Sequence, residues 1–324
     1  MWRFHNTIGA IILFSMILVS ACAPRSEPVV SEGPPLAATS EEIVEPVATE
    51  ETAEPAITEE ATEPATSDKN AEPQFPDFDV NNFDSSTVID NQWMPMKPGT
   101  FWAYEGTALD GGETVSRRIE FTVTDLTKEI DGVRTAVAWI EDYNNGDLIE
   151  KEVAFYAQDK EGNVWYFGEH PEDYDAGKFV EAPTWIAGIA GAKPGIKMQP
   201  DPQLGTPSLY QGWGPEVEWS DYGQIDQVGQ KTCVPVDCYE NTLVIAESSL
   251  GEKGAYQLKY YAQNIGNVQV GWKGTDETQE ELQLVEYKQL SPEELADVHA
   301  QALELEKHAY EVSKDVYGET SPME

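Results

Sequence analysis

Histidine, the residue most often used for acid–base catalysis and metal binding, is scarce in this chain. Four histidines occur in 324 residues, and His170 is the one that lies among the predicted strands. The sequence contains no Gly-x-Ser-x-Gly, no His-Glu-x-x-His and no phosphate-binding glycine loop. We therefore predict no catalytic residue, no zinc site and no cofactor, and we expect His170 to be a surface histidine. The chain fits a non-enzyme better than an enzyme.

Carboxylates are abundant and could act in two ways. A glycoside hydrolase requires two of them about 5–9.5 Å apart, and the 59 Asp and Glu residues offer many pairs. A hydrolase acting on envelope polymers therefore stays open as an alternative function. Oxygen ligands in a loop could instead bind calcium. The best cluster of this kind consists of Glu169, Glu172, Asp173 and Asp175. It lacks EF-hand spacing and predicts at most a weak calcium site.

Aromatic side chains surround an irregular segment, residues 176–215, that is rich in glycine and proline. Long segments of this kind in a compact domain are often lids or binding loops. On a curved sheet, the segment could cover the concave face and enclose a pocket for a small apolar ligand or a glycan. The residues predicted to line the pocket are Trp165, Tyr166, Trp185, Lys193, Lys197 and Trp213. The alternative is that these aromatic residues are ordinary core.

Two cysteines, Cys233 and Cys238, flank the four-residue segment Val234–Asp237, which predicts a hairpin loop. Positions opposed across such a loop can meet disulfide geometry, and disulfides are favoured outside the cytoplasm. We therefore predict a structural disulfide. The alternative is a redox or metal-binding pair, but the cysteines are four residues apart rather than two, and no second ligand pair follows.

Alternating apolar and polar residues predict a mainly β domain over residues 76–290. In the segment Ser116–Asp125, Ile119, Phe121 and Val123 fall on one side of the predicted strand. Asn-Gly and Asp-Gly turns separate successive runs of this kind, which is typical of an antiparallel meander. No stretch alternates strands with helices, so a parallel α/β sheet is disfavoured. We predict a single curved antiparallel sheet or half-barrel.

The segment 291–318 predicts a C-terminal amphipathic helix. Ser291 is a suitable N-cap, a proline occupies the first helical position, and Glu294 completes a capping box. Apolar residues then recur at steps of three and four up to Gly318, which is expected to end the helix. The stripe consists of Leu295, Val298, Ala302, Leu305, Ala309, Val312 and Val316. We expect it to pack on the sheet; the alternative is a partner helix of a protein-interaction module.

Several turn and aromatic motifs resemble those of uncharacterised bacterial secreted β-sheet proteins. The resemblance rests on Trp93–Tyr104, Gly162–Gly168 and Tyr261–Gly266, and covers residues 90–288. It implies a curved antiparallel sheet of the kind found in the periplasmic lipoprotein carriers LolA and LolB. Because its motifs are turns and aromatic residues, the resemblance implies a fold and supplies no catalytic residue.

The N-terminal segment has the features of a targeting signal. An apolar segment, Ile8–Val19, is too short for a bilayer span of about 20 residues and has the length typical of a secretory signal. It ends in Val19-Ser20-Ala21-Cys22, which resembles the lipobox of bacterial lipoproteins. The resemblance implies that residues 1–21 are a signal peptide and that Cys22 is lipidated. The membrane would then be a partner through this lipid, and the protein would lie in the cell envelope on the extracytoplasmic side.

Residues 22–75 predict a disordered acidic tether, because they consist largely of Pro, Glu, Thr and Ala and contain no aromatic residue before Phe75. The formal net charge of the chain is −39. Nucleic acid and anionic lipid headgroups would be repelled by such a protein, so nucleic-acid binding is excluded. The sequence therefore predicts a lipid-anchored extracytoplasmic protein with a binding or structural role.

Overall fold

The structure is a computed structural model that describes residues 72–324. The signal peptide, Cys22 and the tether through residue 71 lie outside the described residues. The described part is mainly β: one 15-stranded antiparallel sheet is followed by a single α-helix. The predicted curved antiparallel sheet with a C-terminal helix is therefore confirmed.

The elements follow one another along the chain with short connections. The strands are β1 Thr100–Asp110, β2 Glu113–Ile130, β3 Val133–Asn144, β4 Asp147–Gln158, β5 Val164–Asp175, β6 Lys178–Glu181, β7 Trp185–Ile186, β8 Lys193–Met198, β9 Leu209–Tyr210, β10 Gly212–Trp213, β11 Tyr222–Cys233, β12 Cys238–Ser248, β13 Ala255–Ala262, β14 Gly266–Gly274 and β15 Glu281–Gln289. The helix is α1, Pro292–Val312, and 3₁₀ turns lie at Val80–Asn82, Pro215–Val217 and Tyr317–Glu319.

The sheet curls until its two ends nearly meet. Its strand order is β10-β8-β5-β4-β3-β2-β1-β15-β14-β13-β12-β11-β9, with β6 and β7 paired to β5. Lys197 of β8 lies near one end of this order and Glu247 of β12 near the other, yet Lys197 Nζ is 2.6 Å from Glu247 Oε1. We call the face that carries these two residues the inner face, and the opposite one the outer face.

The hairpin turns form where the sequence predicts them. Asp131 and Gly132, between β2 and β3, both have positive φ angles, 48° and 79°. Asn145 and Gly146, between β3 and β4, repeat this pattern with 52° and 87°. Asn, Asp and Gly tolerate the left-handed conformation that tight hairpin turns require, so these residues set the register of the paired strands.

The main apolar core lies on the outer face, under helix α1. Alternate residues of the central strands, such as Trp139 and Phe155, pack there against the helix. Ala302 and Ala309 of the helix are fully buried, and their small side chains allow the helix to approach the sheet closely. The predicted packing of the helical stripe on the sheet is therefore confirmed. No helix within residues 72–324 has the length and apolar character needed to cross a membrane.

Helix α1 ends at Val312, so the predicted end at Gly318 is wrong. The backbone leaves the helix at Ser313, and the N–H of Gly318 donates to the carbonyl of Ser313 instead. This turn carries Tyr317 beneath the helix, where the ring is fully buried and its hydroxyl donates to Glu306 at 3.1 Å. The burial of Tyr317 and its hydrogen bond to Glu306 are therefore favoured over further turns of the helix.

A buried ion pair joins the helix to the sheet. Lys128 Nζ of β2 lies 2.9 Å from Glu306 Oε1 of α1 and donates to the carbonyl of Ser321 at 2.5 Å. Burial lowers the pKa of Lys128, and Glu306 opposes this shift. The same Nζ lies 4.2 Å from the centre of the Tyr317 ring, within cation–π range. The pair thus anchors both the helix and the segment that follows it.

The predicted disulfide is present at the tip of the β11–β12 hairpin. Cys233 and Cys238 are bonded and are paired residues of the two strands, with their Cα atoms 4.0 Å apart. Between them, the N–H of Val234 donates to the carbonyl of Asp237. Because the bond closes a very short loop, its contribution to stability is at the small end of the range for disulfides.

We expect Glu306→Gln to lower the free energy of unfolding by about 3 kcal/mol, because it leaves Lys128 buried without its counterion. Equilibrium urea unfolding at pH 7 measures the change. Glu304→Gln is the matched control, since Glu304 is 75% exposed and its ion pair with Lys307 lies on the surface. The control should change stability by less than about 0.5 kcal/mol. Equal effects of the two substitutions would contradict the role assigned to the pair.

Candidate binding site on the inner face of the sheet

A row of side chains crosses neighbouring strands on one face of the sheet. Asp142 of β3 is paired with Glu150 of β4, and Glu150 is paired with Asp173 of β5. In the other direction, Asp142 is paired with Ile119 of β2, which is paired with Tyr104 of β1. Cross-strand partners share a face. One half of the row is therefore apolar and the other half consists of carboxylates.

This row lies on the inner face. Glu150 and Tyr156 occupy positions of the same parity in β4, so both point to the same side. Burial raises the pKa of Tyr156 well above its ordinary value, and the carboxylates of Glu152, Glu169 and Glu247 add to this effect. Since Glu247 belongs to β12, on the far side of the curled sheet, Tyr156 and the row point into the interior.

Five carboxylates gather on this part of the inner face, and we call them the acidic cluster. They are Asp142, Glu150, Glu152, Glu169 and Asp173. None is more than 7% exposed. Strand alternation explains the set, because residues two or four apart in β4 and β5 point to the same side.

Arg117 of β2 lies at one margin of the acidic cluster. One guanidinium nitrogen, Nη2, is 2.5 Å from Asp142 Oδ2, and Nε is 2.5 Å from Glu280 Oε1. Burial nevertheless raises the pKa of Asp142 to about 7, against the lowering effect of Arg117. The second oxygen of Asp142, Oδ1, has no hydrogen-bond partner among the described residues. The free-energy cost of removing the Asp142 carboxylate from water therefore exceeds the stabilisation by Arg117, as is common for buried ion pairs.

Glu150 lies at the centre of the acidic cluster, where its charge acts on the nearby Arg117 and raises the pKa of that guanidinium. It is 7% exposed and makes no hydrogen bond or ion pair with any residue of the described part of the chain. Burial raises its pKa well above the ordinary value, and the neighbouring carboxylates of Glu152, Asp142 and Asp173 add to the shift. Burial and the neighbouring carboxylates thus disfavour the charged form of Glu150 more than the nearby Arg117 favours it.

A tyrosine hydroxyl bridges two of the carboxylates. Tyr166 Oη of β5 lies within hydrogen-bond distance of Glu169 Oε2 and 3.2 Å from Glu152 Oε1. A phenol has one hydrogen to donate, so both contacts are hydrogen bonds only when one carboxyl carries a proton. The Tyr166 ring lies 4.8 Å from the Tyr156 ring, centre to centre. Aromatic rings therefore border the acidic cluster on one side.

A second polar group lies where the two ends of the sheet meet. Lys197 Nζ donates to Gln211 Oε1 and Glu247 Oε1, at 2.6 Å each, and Gln211 donates to Glu247 at 3.0 Å. Burial lowers the pKa of the nearby Lys259 to about 8, and Glu247 opposes this shift. Lys197, Gln211 and Ile245 also line a cavity of about 30 Å³. That volume holds about one water molecule.

The residues predicted to line a ligand pocket lie in different places. Tyr166 and Trp185 are both buried, with ring centres 5.3 Å apart, and Trp185 stacks on Trp219 at 4.7 Å. Trp165 points to the outer face, where it belongs to the core under the helix, and its Nε1 donates to Asp159 at 2.7 Å. Trp165 is thus separated from Tyr166 and Trp185 by the sheet itself.

The remaining predicted pocket residues lie at or near the ends of the sheet. Trp213 packs edge-on against Phe75 with ring centres 5.8 Å apart, and Lys193 Nζ lies 4.4 Å from the centre of the Phe75 ring. Lys197 belongs to the polar group described above. The structure therefore brings Tyr166 and Trp185 together and places Trp165, Lys193 and Trp213 elsewhere. Ligand binding by these residues stays a prediction.

The calcium candidate does not form one cluster. Strand β5 continues through Asp175, where the sequence predicts a loop, so successive side chains point to opposite faces. Glu169 and Asp173 lie on the inner face, whereas Glu172 turns outward to His308 of the helix, with Oε1 2.6 Å from Nδ1. Within residues 72–324, no group of three or more His, Cys, Asp or Glu side chains is arranged to hold a metal ion.

His170 is buried, so its expected surface position is wrong. Its ring is fully enclosed on the outer face, with Nδ1 2.7 Å from Thr184 Oγ1 and Nε2 3.4 Å from Glu172 Oε1. Burial lowers the pKa of His170, against the effect of Glu172. It also contacts Tyr317, the residue that turns in after the helix. The sequence predicts a strand that ends at Glu169, just before His170, whereas β5 continues to Asp175 and carries His170 beneath the helix.

Sequence reasoning missed the acidic cluster as a unit. Its signal lies in β4, where Glu150 and Glu152 share a side with Ala154 and Tyr156. Polar residues at two positions of an otherwise core-facing side are unusual, and that pattern could have identified them. The contributions of Asp142 and Glu169 become visible only when the register is known, because they come from neighbouring strands.

The pH dependence of stability tests the environment of Glu150. A carboxyl with a raised native pKa binds more protons in the folded than in the unfolded state, so the free energy of unfolding falls as the pH rises above its unfolded value. The Glu150→Gln variant has no ionisable group at this position, so its free energy of unfolding should not decrease in this way. We expect the variant to match the wild type near pH 4 and to be more stable at pH 8. Urea unfolding across this range measures the difference, and a difference that does not depend on pH would contradict the prediction.

Comparisons with known proteins identify no family. No family model matches the chain, and no curated protein matches it. A crystal structure of a candidate exported protein with a YmcC-like fold from Bacteroides fragilis is similar to it, with 12% identity and a TM-score of 0.36, over 61% of this chain and 99% of that one. A candidate lipoprotein from Parabacteroides distasonis gives 15% identity and a TM-score of 0.30, over 61% of this chain and 100% of that one. With such low scores, neither likeness bears on function.

Proposed function

We propose that the protein is a lipoprotein anchored by lipid on Cys22 on the extracytoplasmic side of a membrane, and that its folded domain binds a polar ligand on the inner face of the sheet. The lipobox-like motif and the short apolar segment before it support the anchor. The observation that supports the binding role is the acidic cluster, five carboxylates that are each at most 7% exposed.

The acidic cluster is costly for the fold itself. Carboxylates withdrawn from water lose hydration, and replacing buried ionic groups by apolar residues of similar size is often neutral or stabilising. Here, Asp142 has a pKa raised to about 7 in spite of Arg117, so the environment disfavours its charge. Buried groups with perturbed pKa values concentrate at functional sites. A binding role would explain why these carboxylates are present although their burial does not stabilise the fold.

The chemistry of the inner face favours a glycan over an apolar ligand. An apolar ligand placed against Glu150 or Glu152 would desolvate these carboxylates further without offering a hydrogen bond. Sugar hydroxyls can donate hydrogen bonds to carboxylates, and Tyr156 and Tyr166 supply flat apolar rings beside them. Of the two ligand classes predicted from the sequence, the inner face therefore fits the polar one.

The two alternative functions receive different support. The protein-interaction module requires an exposed apolar stripe on helix α1, but Ala302, Leu305 and Ala309 are buried against the sheet. The hydrolase requires a carboxylate pair with unequal pKa values, and Glu150, with its raised pKa, sits beside other carboxylates. Hydrolysis of an envelope polymer thus stays a prediction, to be separated from binding by looking for turnover.

The binding role is tested by native mass spectrometry of the protein extracted from its own membranes in mild detergent. We expect an additional mass that corresponds to a glycan and is released on denaturation. Incubation with the released glycan should leave its length unchanged if the protein only binds it. A protein mass without any addition, in preparations that retain membrane lipid, would contradict the binding role, and shortening of the glycan would favour the hydrolase.

The anchor is tested separately with Cys22→Ser. We expect the wild type to remain in the detergent phase and to incorporate a fatty-acid analogue, whereas the variant should incorporate none, because the thiol that carries the lipid is absent. Cys233→Ser/Cys238→Ser is the matched control, since it removes the other two cysteines and should leave labelling unchanged. Labelling of Cys22→Ser at the level of the wild type would contradict the assignment.

A further inference from the structure

We propose that the docking of the C-terminal segment, residues 306–320, on strand β5 is controlled by a proton: protonation of His170 releases the end of helix α1 and the turn that follows it. This role is separate from ligand binding on the inner face. Three features of the outer face support it: a carboxylate shared between strand and helix, the hydrogen bonds available to the His170 ring, and the positive charges around that ring.

Glu172 connects the sheet to the helix through two histidines. His308 of α1 lies with Nδ1 2.6 Å from Glu172 Oε1, and His170 of β5 lies with Nε2 3.4 Å from the same oxygen. Tyr174 donates to the other oxygen, Oε2, at 2.6 Å. The carboxylate is 2% exposed, so these side chains rather than water satisfy it. One buried carboxylate thus holds strand and helix together, and its contacts depend on where the protons of two histidines lie.

His170 can accept a second proton while its hydrogen-bond partners stay in place. A neutral imidazole carries one N–H. With that hydrogen on Nε2, the ring donates to Glu172, and Nδ1 accepts the hydroxyl hydrogen of Thr184, whose Oγ1 is 2.7 Å away. When Nδ1 is protonated, the Thr184 hydroxyl can donate to the carbonyl of Ala182 at 3.1 Å instead. Both protonation states are thus hydrogen-bonded, and they differ in the charge that is buried.

The charge of a protonated His170 is unfavourable in the closed structure. The ring is fully buried, and its centre lies 5.2 Å from that of the Tyr317 ring. Lys128 Nζ already lies 4.2 Å from the centre of the same Tyr317 ring, so two positive charges would share one aromatic side chain. Burial lowers the pKa of His170, and His308 and Lys128 act in the same direction, whereas Glu172 opposes them.

The charged and titratable groups that surround His170 and Glu172 come from three strands, the helix and the turn after it. They are Lys128 of β2, Lys151 of β4, Tyr174 of β5, Glu306 and His308 of α1, and Tyr317. Val153, the cross-strand partner of His170, is apolar. Histidine is the side chain whose charge ordinarily changes between pH 5 and 8. Mild acid therefore acts on this region through its two histidines.

Acid favours the opened arrangement, in which His170 reaches water. Because the native pKa of His170 is lowered from the ordinary 6.5, the closed structure binds fewer protons than the opened one between these two values. Opening therefore becomes more favourable as the pH falls below 6.5, and the dependence ends below the native pKa. Release of the segment uncovers Ala309 and Tyr317, which belong to the apolar core. The protein thus gains an apolar surface in acid.

The test is hydrogen–deuterium exchange of the full-length protein in detergent at pH 5, 6 and 7, with rates corrected for the intrinsic pH dependence of amide exchange. We expect the opening constant of residues 306–320 to rise by up to about tenfold per pH unit below pH 6.5, the slope for one proton. Strands β12 and β13, which lie away from the helix in the strand order, should change little.

Substitution of His170 identifies the group that takes up the proton. His170→Gln keeps an N–H donor towards Glu172 and cannot titrate, so its opening constants should not depend on pH in this window. His299→Gln is the matched control, since His299 lies on the same helix, is 37% exposed and contacts Asp125 at the surface. The control should keep the pH dependence of the wild type. Nuclear magnetic resonance of isotope-labelled histidine in the wild type reports the titration of His170 without any substitution.

Three results would overturn the proposal. An equal pH dependence in His170→Gln and the wild type would mean that another group takes up the proton. Titration of the His170 ring at or above pH 6.5 would mean that its enclosure does not disfavour the charge. Equal acid-induced opening of β12 and β13 would mean that acid loosens the whole domain rather than the C-terminal segment.

Discussion

The desolvation of carboxylates on the inner face is the constraint on which the rest of this structure depends. Five Asp and Glu side chains are held where water is largely excluded, and one of them, Asp142, has a pKa raised to about 7 although Arg117 contacts it. Such a face adds little to stability. The fold must therefore obtain its stability elsewhere.

The outer face contributes to that stability through the apolar core under the helix. The helix packs its small residues, Ala302 and Ala309, onto the central strands, and the buried pair of Lys128 and Glu306 fixes the position of the helix. The turn after the helix carries Tyr317 into the same core. The outer face thus carries the apolar core under the helix, and the inner face carries the acidic cluster beside apolar and aromatic residues such as Ile119 and Tyr156. Because the core under the helix stabilises the fold, the inner face can carry carboxylates whose burial is unfavourable for folding.

The separation of the two faces also explains why the predicted aromatic and acidic sites are each divided between the two sides of the sheet. Aromatic residues such as Trp165 were expected to line a pocket, but alternation along β5 directs Trp165 to the outer core and Tyr166 to the inner face. Adjacent residues of a strand cannot share a face. A cluster drawn from consecutive residues of one strand is therefore always divided between its two sides, as Glu169 and Glu172 also are.

The sequence by itself determined the fold class, the turns, the start of the helix and the Cys233–Cys238 disulfide. Each of these depends on neighbouring residues: alternation, Asn-Gly and Asp-Gly pairs, a capping box, and two cysteines across a short loop. The lipobox-like motif ending at Cys22 is equally local, and the lipid anchor it predicts lies outside the described residues. Tertiary structure decided the end of the helix at Val312, the burial of His170 and the assembly of the acidic cluster. These depend on which strands are neighbours and on how far the sheet curls, since cross-strand pairing places Asp142, Glu150 and Asp173 side by side although they belong to three different strands.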